Sequence, residues 1–157
     1  MASDRPKTSQ HSPGKSEALR DLADRMKLEN LDCTLETHRL EELPKPMVSP
    51  LYRIILELLE NVRKHAKANR VLIQLLVHRH AVQLLFEDDG QGFDPDRTTK
   101  NGLGLESLQH RVRILNGEWD LHSQPGQGTS VTITIPLFST DPESEKSVAS
   151  GPLTENR

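Results

Sequence analysis

Three short polar segments interrupt the apolar middle of this chain in a fixed order. They are Glu57-Leu-Leu-Glu-Asn61, Asp88-Asp-Gly-Gln-Gly92 and Gly102-Leu-Gly104. The first lies within a helical pattern of apolar residues, the second directly follows a strand pattern, and the third opens another helical pattern. This order predicts an α/β domain in which two helices and one strand end carry the polar positions.

Apolar periodicity predicts the remaining elements. Spacing of three and four residues indicates helices over 16–28, 49–66 and 103–115, and alternation or short apolar runs indicate strands over 31–37, 70–77, 81–86, 118–122 and 130–135. Ser49 and Pro50 are typical of a helix start, and Pro44 and Pro46 are expected to break the chain before it. The short connection over 78–80 favours an antiparallel hairpin.

Composition limits the class of protein. The length of 157 residues suits one domain, predicted over 16–138, and the apolar-poor ends over 1–15 and 139–157 are predicted to be disordered. The net charge of −3, from 20 basic and 23 acidic residues, favours neither nucleic acid nor an anionic membrane as a partner. Because Cys33 is the single cysteine and no signal-peptide or transmembrane pattern occurs, we expect a cytoplasmic location.

Four polar residues share one face of the predicted helix over 49–66. Glu57, Asn61, Lys64 and His65 follow i, i+4, i+7 and i+8 spacing, away from the main apolar stripe. An asparagine oxygen suits Mg²⁺, and a carboxylate one turn earlier can orient water or accept a proton. We therefore predict Asn61 as a Mg²⁺ ligand and Glu57 as a catalytic carboxylate. A solvated helix face, with His65 complementing the helix C-terminus, is the alternative.

Asp88 begins the second segment at the end of a predicted strand. Gly90 and Gly92 allow the chain to turn there and to approach a ligand closely. A carboxylate in such a position can accept a hydrogen from the amino group of adenine, and a guanine would leave it unsatisfied. An ordinary Asp-Gly turn after a strand is the alternative.

Gly102 and Gly104 open the second amphipathic helix, where free N–H groups and the helix dipole can meet phosphate oxygens. The polar stretch before them is a candidate lid, and Thr129 can supply a hydroxyl on the base side. The alternatives are a plain loop-to-helix connection and an ordinary Gly-Thr turn. Taken together, the three segments predict an ATP-binding module.

The same segments resemble the catalytic ATP-binding domain of sensor histidine kinases. The resemblance extends through Lys64-His65-Ala66, Phe93-Asp94, Gly102-Leu-Gly-Leu-Glu-Ser-Leu108 and Gly126-Gln-Gly-Thr129, and it covers about residues 16–137. The wider superfamily includes gyrase, Hsp90 and mismatch-repair ATPases. Within it, the chain is most similar to kinases whose response regulators have helix-turn-helix outputs.

This resemblance implies a two-layer α/β (α+β) sandwich, the Bergerat fold, in which a mixed, mostly antiparallel sheet has helices on one face. It implies ATP and Mg²⁺ as cofactors, and a response regulator and a phosphoacceptor His domain, in cis or in trans, as partners. The implied site comprises Glu57 as the catalytic residue, Asn61 as metal ligand, and nucleotide-binding positions at Asn61, Lys64, His65, Asp88, Gly90, Gly92, Gly102, Leu103, Gly104, Leu105 and Thr129.

The chain departs from a complete kinase because no histidine precedes the domain on an amphipathic helix flanked by acids. We therefore expect the acceptor histidine on a separate domain or chain. Leu56 and Glu60 stand where many relatives have Gln and Thr, and neither change removes a predicted ligand. Two other functions remain open: a serine kinase of the anti-sigma-factor type, and a non-catalytic ATP-dependent interaction module.

Overall fold

Five strands form one mixed sheet in the computed structural model, which describes residues 14–28, 30–98 and 104–137. The strands are β1 (Asp32–His38), β2 (Arg70–Val77), β3 (Ala81–Asp88), β4 (Glu118–Ser123) and β5 (Thr129–Pro136), in the spatial order β1-β2-β3-β5-β4. The β1–β2 pair is parallel and the other three pairs are antiparallel, which confirms the predicted mixed, mostly antiparallel sheet. Residues 1–13 and 139–157 of the predicted tails lie outside the described residues.

The three predicted helices occur in the predicted order, and a fourth, over Pro95–Thr98, lies in the polar stretch predicted as a lid. They are α1 (Lys15–Leu28), α2 (Lys45–Asn61), α3 (Pro95–Thr98) and α4 (Leu105–Ile114), with a short 3₁₀ turn at Leu40–Glu42. A π-helical turn at Val62–Ala66 continues α2, so the predicted helical stripe extends to Ala66 with a local change of pitch. Such π turns often occur at functional sites.

Helix α2 begins earlier than its two prolines suggested. The predicted start at Ser49-Pro50 is wrong, because the helix already begins at Lys45 and Pro44 precedes it as the N-cap. Pro46 lies in the first turn, where the missing N–H has no acceptor within the helix. Pro50 forgoes one internal hydrogen bond, and burial of Leu51 and Ile54 just after it keeps the helix continuous.

The core lies between the helices and one face of the sheet. Strands β2 and β3 alternate buried and half-buried residues, and their antiparallel register sets Ile73 opposite Phe86. Helix residues complete the same cluster, with Leu59 of α2 and Leu108 of α4 fully buried. These contacts confirm a two-layer α/β architecture and the 70–86 hairpin. Within the described part of the chain, no helix has the length and apolar character needed to cross a bilayer.

Candidate functional site

Asp88 ends β3 on the wall of a cavity. Its Oδ1 accepts the N–H of Gly90 at 2.8 Å, so the carboxylate is held by the turn that follows it. Burial raises the pKa of Asp88 above its ordinary value, and hydrogen bonds from Gly90 and Thr129 partly oppose that rise. The arrangement presents a half-buried acceptor with restricted access to water.

The turn after Asp88 packs backbone against backbone. A Cβ at Gly90 would collide with the carbonyl of Ala66, and a Cβ at Gly92, where φ is 58°, would collide with the carbonyl of Gln124. Gln91 ties the same turn to the end of the π-helical segment, because its N–H donates to Ala66 O at 2.7 Å and its Nε2 donates to His65 O at 2.6 Å. Glycine is therefore required here by close approach of the protein to itself.

Glu57 and Asn61 lie one turn apart on α2 and face the start of α4. A Cβ built on Gly104 would lie 3.8 Å from Glu57 Oε1 and 3.9 Å from Asn61 Oδ1. Gly104 caps α4 with a φ of 69°, a left-handed conformation that suits glycine. Asn61 Nδ2 is buried without a hydrogen-bond partner among the described residues, which marks a polar group available to a ligand.

A cavity of about 350 Å³ lies between Asn61 of α2 and Asp88 of β3. Seven predicted site residues line it: Asn61, Lys64, His65, Asp88, Gly92, Leu105 and Thr129. Its apolar wall comes from Leu58, Val62, Phe86, Phe93 and Val131, and its volume falls within the range of small-molecule pockets. Glu57, Gly90 and Gly104 border this group without lining the cavity, and the predicted Gly102 and Leu103 lie outside the described residues, as does part of the predicted lid.

A larger depression of about 780 Å³ lies beside the cavity and shares Asp88 and Thr129 with it. Its other walls are formed largely by polar strand ends, including Asp32, Arg70 and Glu87. Unlike the smaller cavity, it is not lined by Asn61. The smaller cavity, with an apolar wall and polar groups at its edges, is therefore the better candidate for binding a flat heterocycle with a charged tail.

Lys64 and His65 contribute differently to the cavity. Lys64 Nζ lies 3.5 Å from Glu60 Oε2 in a largely exposed ion pair, so its ammonium is already partly neutralised. His65 has an exposed side chain, and its backbone carbonyl accepts a hydrogen bond from Gln91 Nε2. Both residues line the cavity, and their contact with a nucleotide stays a prediction.

Ser123 is a site residue that sequence reasoning missed. Its Oγ accepts the N–H of Phe93 at 2.9 Å, donates to the carbonyl of Gly128 at 3.0 Å and lies 3.1 Å from Thr129 Oγ1. It therefore connects two parts of the cavity wall. The alternation of β4 could have identified it, because Trp119 and Leu121 lie on the inner face and Ser123 is the next residue on that face.

Arg111 was also missed. Its Nε donates to Glu57 Oε2 at 3.0 Å and so links α4 to α2 beside Asn61. No local pattern around Arg111 distinguishes it from the other exposed cations of α4, because the partner lies 54 residues away.

Two sensor kinases are similar to this chain in sequence. The chain is 32% identical over 97 residues to the signal transduction histidine-protein kinase/phosphatase DegS of Brevibacillus brevis, covering 62% of this chain and 25% of DegS. It is 40% identical over 89 residues to the sensor histidine kinase ComP of Bacillus subtilis, covering 55% of this chain and 12% of ComP. The chain thus spans a quarter or less of the length of these two relatives.

Solved structures agree on the fold. The histidine kinase domain of a blue-light activated histidine kinase from Erythrobacter litoralis superimposes with a TM-score of 0.62 at 24% identity, covering 80% of this chain and 61% of that one. The histidine kinase AdeS of Acinetobacter baumannii gives a TM-score of 0.58 at 19% identity, covering 77% and 61%. Residues 48–139, more than half of the chain, match the family model described as histidine kinase-, DNA gyrase B-, and HSP90-like ATPase. The chain therefore belongs to the histidine kinase-, DNA gyrase B- and HSP90-like ATPase family.

Proposed function

We propose that this chain is the ATP-binding catalytic domain of a two-component sensor histidine kinase. In this role it binds Mg-ATP and transfers the γ-phosphoryl group to a histidine on a separate domain or chain. The observation that carries the proposal is the meeting of Glu57, Asn61 and Gly104 beside a cavity whose other wall holds Asp88 and Thr129.

The base side of the cavity suits adenine. Phe86, Phe93 and Val131 give an apolar slot for the ring, and the Asp88 carboxylate can accept a hydrogen from the exocyclic amine. The Thr129 hydroxyl lies on the same wall and can complete the contact directly or through water. A guanine would present a carbonyl oxygen to the carboxylate, so selection of ATP over GTP is expected.

The phosphate side combines a helix N-terminus with oxygen donors. Gly104 opens the ten-residue α4, which begins at Leu105. Gly102 and Leu103 are included as nucleotide-binding positions on the sequence resemblance alone. The oxygen atoms of Asn61 and Glu57 suit Mg²⁺. The unpartnered Nδ2 of Asn61 is a hydrogen-bond donor and can donate to a phosphate oxygen. When bound, Mg²⁺ would neutralise phosphate charge, while Glu57 orients a nucleophile or accepts its proton.

Lys64 and His65 border the nucleotide at the end of α2, and Gly90 and Gly92 shape the turn around the base. We further assign the chain to the cytoplasm, with a response regulator of helix-turn-helix output as the downstream partner. The names of DegS and ComP as histidine kinases support the class of partner. Residues 16–138 are proposed as the folded domain.

Calorimetric titration of Mg-ATP and Mg-GTP tests the binding step. The wild-type chain should bind ATP in preference to GTP, and Asp88→Asn should lose ATP binding while it remains folded. Asp89→Asn is the matched control, because Asp89 is exposed and accepts the N–H groups of Asn69 and Arg70 instead. Failure of the folded wild-type chain to bind ATP would overturn the proposed function.

A second experiment tests phosphoryl transfer. The chain is incubated with labelled ATP and a histidine-bearing helical domain of a sensor kinase, and the product is treated with acid. Loss of label in acid indicates phosphohistidine and supports the proposal. Acid-stable label in a protein serine would favour the serine-kinase alternative, and binding without transfer would favour a non-catalytic module.

A further inference from the structure

The Arg111–Glu57 contact joins α4 to the carboxylate proposed to act beside the phosphates. We propose that Arg111 is a positioning residue that aims the Glu57 carboxylate and neutralises its charge toward the terminal phosphate. This inference rests on the proposed function, because it assumes that the nucleotide phosphates lie at the α2–α4 junction. Arg111 acts through Glu57 and is assigned no contact with the nucleotide.

The two oxygens of Glu57 have different surroundings. Oε2 accepts from Arg111 Nε at 3.0 Å, while Oε1 lies toward Gly104, 3.8 Å from where a Cβ of that glycine would stand. Asn61 Oδ1 faces the same glycine at 3.9 Å. The guanidinium therefore determines which carboxylate oxygen is presented, together with the Asn61 oxygen, to the start of α4.

Two cations farther along the chain, just after α2, pair with Glu60 instead. Arg63 Nη2 lies 3.0 Å from Glu60 Oε2, and Lys64 Nζ lies 3.5 Å from the same oxygen. Among the described ion pairs, Arg111 is the partner of Glu57. Without it, an uncompensated negative charge would lie beside the position proposed for the polyphosphate, and the repulsion would be strongest for the nucleotide with the additional phosphate.

The exposure of the pair separates this role from a structural one. The side chains of Arg111 and Glu57 are 45% and 25% exposed, and pairs this accessible contribute little to folding. If Arg111 merely braced α4 against α2, its loss would change unfolding and weaken all nucleotides alike. A positioning role predicts a change specific to ATP that depends on Glu57.

The test measures the affinity of the full chain for Mg-ATP and Mg-ADP by calorimetry, with thermal unfolding in parallel. The variants are Arg111→Met, Arg111→Lys, Glu57→Gln and the Glu57→Gln/Arg111→Met double variant. Arg113→Met is the matched control, because Arg113 lies exposed on the same helix and its substitution removes the same charge. Methionine keeps the apolar stem of the side chain.

We expect Arg111→Met to weaken Mg-ATP binding about three- to tenfold and Mg-ADP binding less than about twofold, with the unfolding midpoint little changed. Arg111→Lys should restore part of the ATP affinity, Arg113→Met should stay within about twofold of wild type, and the effect of Arg111→Met should largely vanish in the Glu57→Gln background.

Two results would overturn the inference while the proposed function survives: normal ATP affinity in Arg111→Met, or an equal loss with and without the Glu57 carboxylate. Tighter ATP binding by Arg111→Met would mean that the pair restrains Glu57, and it would also reject the positioning role. Absence of ATP binding by the folded wild-type chain would overturn the proposed function, and the inference with it.

Discussion

Replacing Ser123 by alanine removes the hydroxyl that joins the turn after Asp88 to the start of β5. Three contacts disappear: the N–H of Phe93 loses its acceptor at 2.9 Å, the Gly128 carbonyl loses a donor at 3.0 Å, and Thr129 Oγ1 loses a neighbour at 3.1 Å. A donor left unsatisfied in a buried setting costs about 1–3 kcal/mol. Since the Ser123 side chain itself is small and 9% exposed, little apolar burial changes. The expected loss of unfolding free energy is therefore about 1–3 kcal/mol.

Chemical denaturation measures this loss directly, and a thermal scan should show a fall of about 4–12 °C. Ser130→Ala is the matched control. Its hydroxyl makes one exposed hydrogen bond, to Glu87 Oε1 at 3.3 Å, so its removal should change stability by less than about 0.5 kcal/mol. Because Phe93 and Thr129 both line the cavity, Ser123→Ala should also weaken ATP binding. Equal stability of the two serine variants would refute the reasoning.

Three further predictions follow from single residues. Gly128→Ala should destabilise the fold more than Gly126→Ala. Both residues have positive φ, 76° and 82°, a conformation that costs alanine about 1–2 kcal/mol. At Gly128 the added methyl would also overlap the Asp88 carbonyl. Urea titration of both variants checks this, and equal losses would contradict it. Asp88→Asn should stabilise the nucleotide-free chain at neutral pH, because burial raises the pKa of Asp88 and its ionised form opposes folding. This gain in unfolding free energy should shrink as pH falls through the folded-state pKa of Asp88 toward the ordinary value of 3.8. Denaturation of both proteins across this pH range tests it, and a stability difference that does not change with pH would refute it. Asn61→Ala should lower the Mg²⁺-dependent enhancement of ATP binding about tenfold, measured as the ratio of affinities with Mg²⁺ and with a chelator; an unchanged ratio would exclude Asn61 as the ligand.

Local patterns were sufficient for the elements that carry the site. The apolar stripe of α2 and the alternation in β2 and β3 are set by neighbours in sequence, so period alone located Glu57, Asn61 and Asp88 on the correct elements. The predicted start of α2 was wrong because Pro44 and Pro46 are strong signals for a break in the chain. Burial of Leu51 and Ile54 outweighs the hydrogen bond that Pro50 forgoes.

The contacts of the site could not be predicted in the same way. Ser123 lies 30 residues from Phe93, and Arg111 lies 54 residues from Glu57, so each contact exists only after the strands and helices have taken their final register. Gly92 was predicted for approach to a ligand, and the structure gives it a second reason, the carbonyl of Gln124. The sequence therefore indicated that glycine matters at position 92, but it did not identify the Gln124 carbonyl as its closest neighbour.

The two sides of the candidate site are held together by different interactions, and this difference determines how substitutions should act. On the proposed base side, Gly90 and Gly128 let backbone lie directly against backbone, and the Ser123 hydroxyl donates to the Gly128 carbonyl. Close-packed backbone adapts poorly, so changes there should reduce stability and binding together. On the proposed phosphate side, an accessible ion pair between Glu57 and Arg111 joins α2 to α4. Accessible pairs add little to folding, so changes there should alter the response to the terminal phosphate while the fold persists.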